Sequence, residues 1–259
     1  MGQSPLPWMG VAILIGVAVA WLPLLWALAL FGGAALLIAF LIEPALALIF
    51  TLCIAPLKAL FETSIPLALP LDVGQLALGA FLGIWFVQRA ASGEGQVHIA
   101  WGVAGGVALF WCAAGLSLWT AYSASAVLVE LVKWAQILTL LVIVPNVRRW
   151  EWLVFGLLLS GALQGLLGLW QFIGNSGAPH LWILNYRFFR AFGTFMQPNP
   201  YAGFLGILLP LGVAAGAGAA LDAWLNRPRR WEALLPPLVY LGMASLIGVG
   251  LLASWSRGA

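Results

Sequence analysis

Apolar residues run through this chain in long blocks, and the polar positions fall mostly in the short gaps between them. The blocks cover about residues 8–22, 24–42, 44–60, 73–90, 99–117, 126–144, 151–173, 200–221 and 233–253. Pro23, the Glu43-Pro44 joint, "ETSIPLALPLD", "RAASGEGQVH", "WTAYSAS", "PNVRRW", the segment 174–199 and "DAWLNRPRRWE" separate them. Stretches such as "VAGGVALFWCAAGL" do not alternate as the strands of a membrane barrel do. A helix crosses a bilayer with about 20 predominantly apolar residues. The pattern therefore predicts an all-α, polytopic transmembrane helical bundle of about nine spans, a single domain over 1–259. The first two blocks are the least separated, and 8–31 can also form one helix kinked at Pro23.

Composition sharpens this reading. The chain is 63% hydrophobic and only 7% charged, against roughly 25% charged in ordinary soluble domains. So few charges cannot cover a water-soluble surface, so the solvent for most of the chain is lipid. No Lys or Arg precedes Lys58, so the start lacks the basic flank of a secretory signal, and we read Trp8 onward as a retained first span.

The few cations set the orientation. Arg89, the pair Arg148 and Arg149, and the trio Arg227, Arg229 and Arg230 occupy three gaps. These alternate with "ETSIPLALPLD", "WTAYSAS" and 174–199. The positive-inside rule makes the Arg gaps cytoplasmic, the N-terminus cytoplasmic and 174–199 outward-facing. A net charge of +3 held in such loops fits membrane orientation and not nucleic-acid binding. Trp119, Trp150, Trp152, Trp170, Trp182, Trp224, Trp231 and Trp255 lie near proposed span ends, where amphipathic rings settle. Cys53 and Cys112 lie inside apolar spans and read as small buried hydrophobes, with no disulfide or metal spacing.

One stretch breaks the apolar pattern with chemistry. "FRAFGTFMQPNPYAGF", residues 189–204, places Arg190, Gly193 and a Pro-Asn-Pro joint just before the eighth span. Asn199 is suited to cap a helix opening at Pro200, and Gly193 permits a positive-φ turn. Spans eight and nine make two crossings, so "SWSRGA" returns to the outer face. Arg257, 67 residues after Arg190, then lies on the same side as Arg190. Either arginine alone reads as a side chain snorkelling to the headgroups. Two together, beside small polar residues at helix junctions, point to an outer-leaflet anion, because the guanidinium fork matches phosphate oxygens.

"RAFGTFMQPNPYAGFLGILLPL", followed about 50 residues later by "SRGA", resembles the O-antigen ligase and O-antigen polymerase superfamily. The resemblance covers about residues 187–259. It implies a multi-pass protein of the bacterial inner membrane that transfers a glycan, without a metal or other cofactor. The donor would be an undecaprenyl-diphosphate carrier and the acceptor a lipid A-core or growing polysaccharide on the periplasmic side. By motif, Arg190 and Arg257 would bind the donor diphosphate and stabilise charge on the leaving group. The family also uses a His in a large outward loop after the Ser-Arg-Gly helix. The sequence stops at Ala259, within that motif, so we expect an N-terminal part that is inactive alone.

Lesser candidates surround this pair. Lys133 sits three residues after Glu130 on one helical face and is either a third cation near the diphosphate or half of a self-neutralised pair. Arg187 is a second phosphate contact or a snorkelling side chain. Tyr201 is a sugar or phosphate contact or an interfacial ring. Gln164 and Gln171, seven apart, read as interhelical hydrogen-bond partners. His98 falls in a cytoplasmic gap; His180, in the outward segment, is a weaker candidate base. Two other functions fit the same residues. Some proteins resembling this family are described as bicarbonate carriers, and an outward Arg pair suits a small anion; a non-catalytic membrane scaffold is the third reading.

Overall fold

The structure, a computed structural model, describes residues 37–38, 40–59, 73–93, 97–147, 149–174, 181–183, 187–226 and 231–256. The first predicted span and most of the second lie outside the described residues. The described elements are α1 (Pro44–Ile54), α2 (Val73–Ser92), α3 (Trp101–Leu116), α4 (Ala124–Ile143), α5 (Trp150–Ile173), α6 (Pro198–Asn226) and α7 (Leu235–Ala253). Short 3-10 turns extend several of them, and strands β1 (Trp182–Ile183) and β2 (Phe188–Phe189) form one small hairpin between α5 and α6.

Local chemistry explains several boundaries. Pro44 opens α1 at the first helical position, where its missing N–H costs nothing. The Ser123 side chain accepts from the Ala126 N–H and caps α4. Pro145 falls in the 3-10 turn Val144–Asn146 that closes that helix. The hairpin pairs Trp182 with Phe189 and Ile183 with Phe188, antiparallel.

Five helical stretches are long and apolar enough to cross a membrane: Trp101–Trp119, Ala124–Asn146, Trp150–Ile173, Pro198–Leu225 and Trp231–Ala253. The 24-residue α5 is about 36 Å long at 1.5 Å per residue. Helices α1 and α2 occupy predicted spans but are not among the five. Helix α1 has only 11 residues, and α2 carries Gln75, Gln88 and Arg89. Apolar side chains cover the outside. Trp101, Val103, Leu109, Phe110 and Leu116 of α3 are all exposed, a surface suited to hydrocarbon. Trp119, Trp150, Trp170, Trp224, Trp231 and Trp255 are exposed at helix ends, as interfacial rings are.

Two buried clusters hold the bundle. One joins α5, α6 and α7 through Leu158, Tyr201, Leu205, Leu208 and Ile247. The other joins α1, α2 and Ile143 of α4 through Ala47, Leu48, Phe81, Leu82 and Trp85. Lipid tails are as apolar as leucine, so helices gain little by hiding leucine from them; close packing and interhelical hydrogen bonds associate them instead. Ser160 of α5 donates to the Leu52 carbonyl of α1, 2.8 Å. Trp111 Nε1 of α3 donates to the Leu131 carbonyl of α4, 2.8 Å, and Gln136 of α4 to the Gln75 carbonyl of α2, 2.9 Å.

The α5–α7 contact depends on missing side chains. A Cβ on Gly165 would lie 2.3 Å from the Leu246 carbonyl oxygen, and one on Gly250 would lie 2.6 Å from the Gly165 Cα. Backbone cannot yield as a flexible side chain can. Gly165→Ala should therefore cost about 1–3 kcal/mol, the usual range for overpacking, read as a lower melting temperature in detergent. Gly203→Ala, with nothing within 4 Å of its added Cβ, should melt at or above the parent temperature.

Candidate functional site: an arginine held by neutral acceptors

The segment between the hairpin and α6 folds back against the ends of α1, α5 and α7. The Arg190 N–H donates to the Leu181 carbonyl, 2.9 Å, and the Ala191 N–H to the Ala253 carbonyl at the end of α7, 2.9 Å. Gly193 then adopts φ +53°, a conformation that favours glycine. A Cβ there would also meet Gln164 Oε1 at 2.4 Å and the Tyr201 ring. Turn chemistry and crowding both require glycine at this position.

Two glutamines of α5 hold the turn from beneath. Gln171 Oε1 accepts from the N–H groups of Phe192, 3.1 Å, and Gly193, 2.8 Å, while its Nε2 donates to the Gly193 carbonyl, 2.8 Å. Gln164 Oε1 accepts from the Thr194 N–H, 3.1 Å, and its Nε2 donates to Thr194 Oγ1, 3.0 Å. Thr194 Oγ1 donates in turn to the Pro56 carbonyl beyond α1, 2.6 Å. Both glutamines and Thr194 are buried. Their expected role as partners between helices is corrected here: they bind the backbone of a loop tucked among the helices. Two amides spaced one face apart on an apolar helix were the available signal.

Above this turn stands Arg190, partly buried. Its Nε donates to the Ser254 carbonyl, 2.9 Å, and its Nη2 to Asn199 Oδ1, 3.3 Å. Ser256 Oγ donates to the same Asn199 oxygen, 3.2 Å. Among the described residues, Nη1 makes no hydrogen bond and no carboxylate lies within ion-pair distance of Arg190. Among the described residues the arginine is thus oriented by a carbonyl and an amide, both neutral.

Asn199 does not cap a helix opening at Pro200. Helix α6 begins at Pro198, so Asn199 lies in the first turn with its side chain turned to Arg190 and Ser256. Proline at the first helical position and again at 200 leaves two fewer N–H groups to satisfy at that end. Tyr201 is fully buried, and its hydroxyl donates to the Gln164 carbonyl, 3.1 Å; its ring lies against Gly193 and Phe195, away from the surface. Arg187 is exposed beside the hairpin turn, its N–H donating to the Ile183 carbonyl, 3.2 Å. Lys133 pairs with Glu130 at 3.0 Å on α4, whose main helical contacts are α3 and α2; it is not a hydrogen-bonding partner of the Arg190 cluster. Arg257 and His180 lie outside the described residues. His98 sits elsewhere: its N–H donates to Asn146 Oδ1, 2.9 Å.

Backbone strain concentrates around the cluster. Among the described residues, the two non-glycine positions with positive φ are Met196 (60°), just before α6, and Trp255 (51°), just after α7. A bulky residue there is uncommon and costs about 1–3 kcal/mol, and such strain gathers at functional sites. No group of three or more His, Cys, Asp or Glu side chains is placed to hold a metal ion among the described residues. Comparison with protein-family models, with curated proteins and with solved structures finds no match to this chain.

Gln171→Leu would strand two N–H groups and one carbonyl in an apolar site. Each unmet buried group costs about 1–3 kcal/mol, so stability should fall by at least about 2 kcal/mol. Hydrogen exchange should accelerate at Phe192 and Gly193, while amides in α3 exchange as before.

Proposed function

We propose that the Arg190 cluster binds the diphosphate of a lipid-linked glycan donor, in a membrane glycosyltransferase of the O-antigen ligase and polymerase kind or in its N-terminal part. The observation that carries this reading is the state of Arg190: fixed by two neutral acceptors, with Nη1 uncommitted among the described residues. Such a fork presents parallel N–H groups to phosphate oxygens. The adjoining Ser256 hydrogen-bonds Asn199, so the chain reaches this cluster one residue before Arg257. The resemblance of "RAFGTF", "PNP" and "SRGA" to the family motifs supports the same assignment.

In this reading an acceptor hydroxyl attacks the anomeric carbon of the donor sugar. A new C–O bond forms, the bond from that carbon to the diphosphate oxygen breaks, and the bonding pair leaves with the undecaprenyl diphosphate. Arg190 and Arg257 stabilise the charge that grows on the departing oxygen. The hydroxyl proton passes to a base, which the resemblance assigns to a His C-terminal to the Ser-Arg-Gly motif. The chain crosses the bacterial inner membrane about nine times with its N-terminus in the cytoplasm. The separation of polar groups supports that topology: Glu43, Arg89, Asn146 and Arg149 gather around one cavity, whereas Arg190 bonds Ser254 at the end of α7 and Thr194 bonds Pro56 beyond α1.

Membranes carrying the complete coding sequence should transfer a radiolabelled glycan from its undecaprenyl-diphosphate carrier. Arg190→Ala and Arg257→Ala should each lower the rate about 100-fold or more, the usual loss for one transition-state donor. Unchanged transfer in both variants would reject the proposal, and bicarbonate uptake lost in both would assign the site to a transporter. In a cysteine-free background, Tyr122→Cys should react with an impermeant thiol reagent from the periplasm, and Ser92→Cys only after the membrane is opened.

A further inference from the structure

Asn199 is an exposed amide on which three distant parts of the chain converge. It is the second residue of α6. Its Oδ1 accepts from Arg190 Nη2 at 3.3 Å, nine residues before it, and from Ser256 Oγ at 3.2 Å, 57 residues after it. An arginine only donates, so the oxygen of this amide, and not its nitrogen, faces Arg190.

Both segments that lead to this oxygen are tied down. After α7, buried Ser254 takes the Arg190 Nε–H on its carbonyl, 2.9 Å. Its hydroxyl donates to the Leu251 carbonyl, 2.6 Å, and accepts from the Ser256 N–H, 3.2 Å. The left-handed backbone of Trp255 turns the chain between the two serines. Before α6, Met196 takes up the same rare conformation, and Pro198 and Pro200 fix φ near about −65° on either side of Asn199. Backbone of this kind costs free energy and persists where the surroundings hold it. Here it stands on both approaches to one hydrogen-bonding atom.

That atom is neutral in a place that favours a charged one. It lies in the first turn of a 29-residue helix with no acidic residue there, where a carboxylate gains from the helix dipole. It also lies within reach of a guanidinium, where a carboxylate gains an ion pair. For the stability of the fold alone, aspartate would serve at least as well. The amide does what aspartate could not: it holds Arg190 and Ser256 in place without itself answering the cation. We propose that Asn199 is the positioning residue of Arg190 and that its neutrality sets the site's preference for an anion, an inference that rests on the reading of Arg190 as a diphosphate ligand. Through one oxygen it fixes the direction of the guanidinium and the course of the chain just before Arg257.

The product of the complete coding sequence, purified for melting and assayed for transfer from an undecaprenyl-diphosphate glycan, tests this. Asn199→Asp should melt no lower than the parent, because it adds an ion pair and a charge at a helix start. Its KM for the donor should nevertheless rise about 30-fold or more, the scale for a like charge set against a bound one. Asn199→Ala should keep the donor KM within about threefold and lower kcat about tenfold, the loss for one orienting hydrogen bond. A merely structural residue would not separate stability from donor KM in this way, nor split KM from kcat between two variants of one position. A lower melting temperature or an unchanged KM in Asn199→Asp, or an unchanged kcat in Asn199→Ala, would overturn the inference alone while Arg190→Ala still abolished transfer. Transfer absent from the parent, or independent of Arg190, would remove this inference together with the reading beneath it.

Discussion

The backbone groups of residues 192–194 are buried or partly buried among the helices, and the side-chain amides of Gln171 and Gln164 satisfy them. Backbone outside helices is tolerated in an apolar surrounding only when protein pairs it or a cavity hydrates it. Everything that orients Arg190 rests on this satisfaction: the Gly193 turn, the approach of Ala191 to the end of α7, and the burial of Tyr201 under the loop. The carboxamide suits the task because it carries donors and an acceptor on one short group and brings no charge to desolvate.

The two polar regions treat arginine differently. Arg149 meets a carboxylate at the rim of its cavity, so its charge is partly answered from within the chain. Arg190 meets a carbonyl and an amide oxygen, which set direction without neutralising it. A buried or half-buried cation held this way is costly in an apolar solvent.

Much of the bundle was legible in the sequence because a lipid solvent writes itself plainly. Blocks with at most two charged residues became helices α3 to α7, and Trp119, Trp150 and Trp224 mark their ends as an interfacial ring should. The site was legible in part. Arg190, Gly193 and Asn199 stood out as polar or flexible positions in an apolar field. Their arrangement did not. Asn199 looked like a cap because the Asn-Pro pair is a common helix start, and only the helical turn at Pro198 turns its side chain toward Arg190. Gln171 and Gln164 gave no hint of a loop partner, since periodicity reports which face a residue shares and not what folds against that face. The two-residue strands are too short to alternate, and nothing in a tryptophan signals the left-handed backbone at Trp255.

The bond from the Ala191 N–H to the Ala253 carbonyl has a mechanical meaning. It closes the loop, α6 and α7 into a ring, drawn shut a second time by Arg190 on Ser254. A ring fastened at both ends cannot part like tweezers, and the glutamine contacts weld it to α5. Among the described residues, the α3–α4 pair is joined to the rest chiefly through α2, so a displacement of that pair leaves the ring closed.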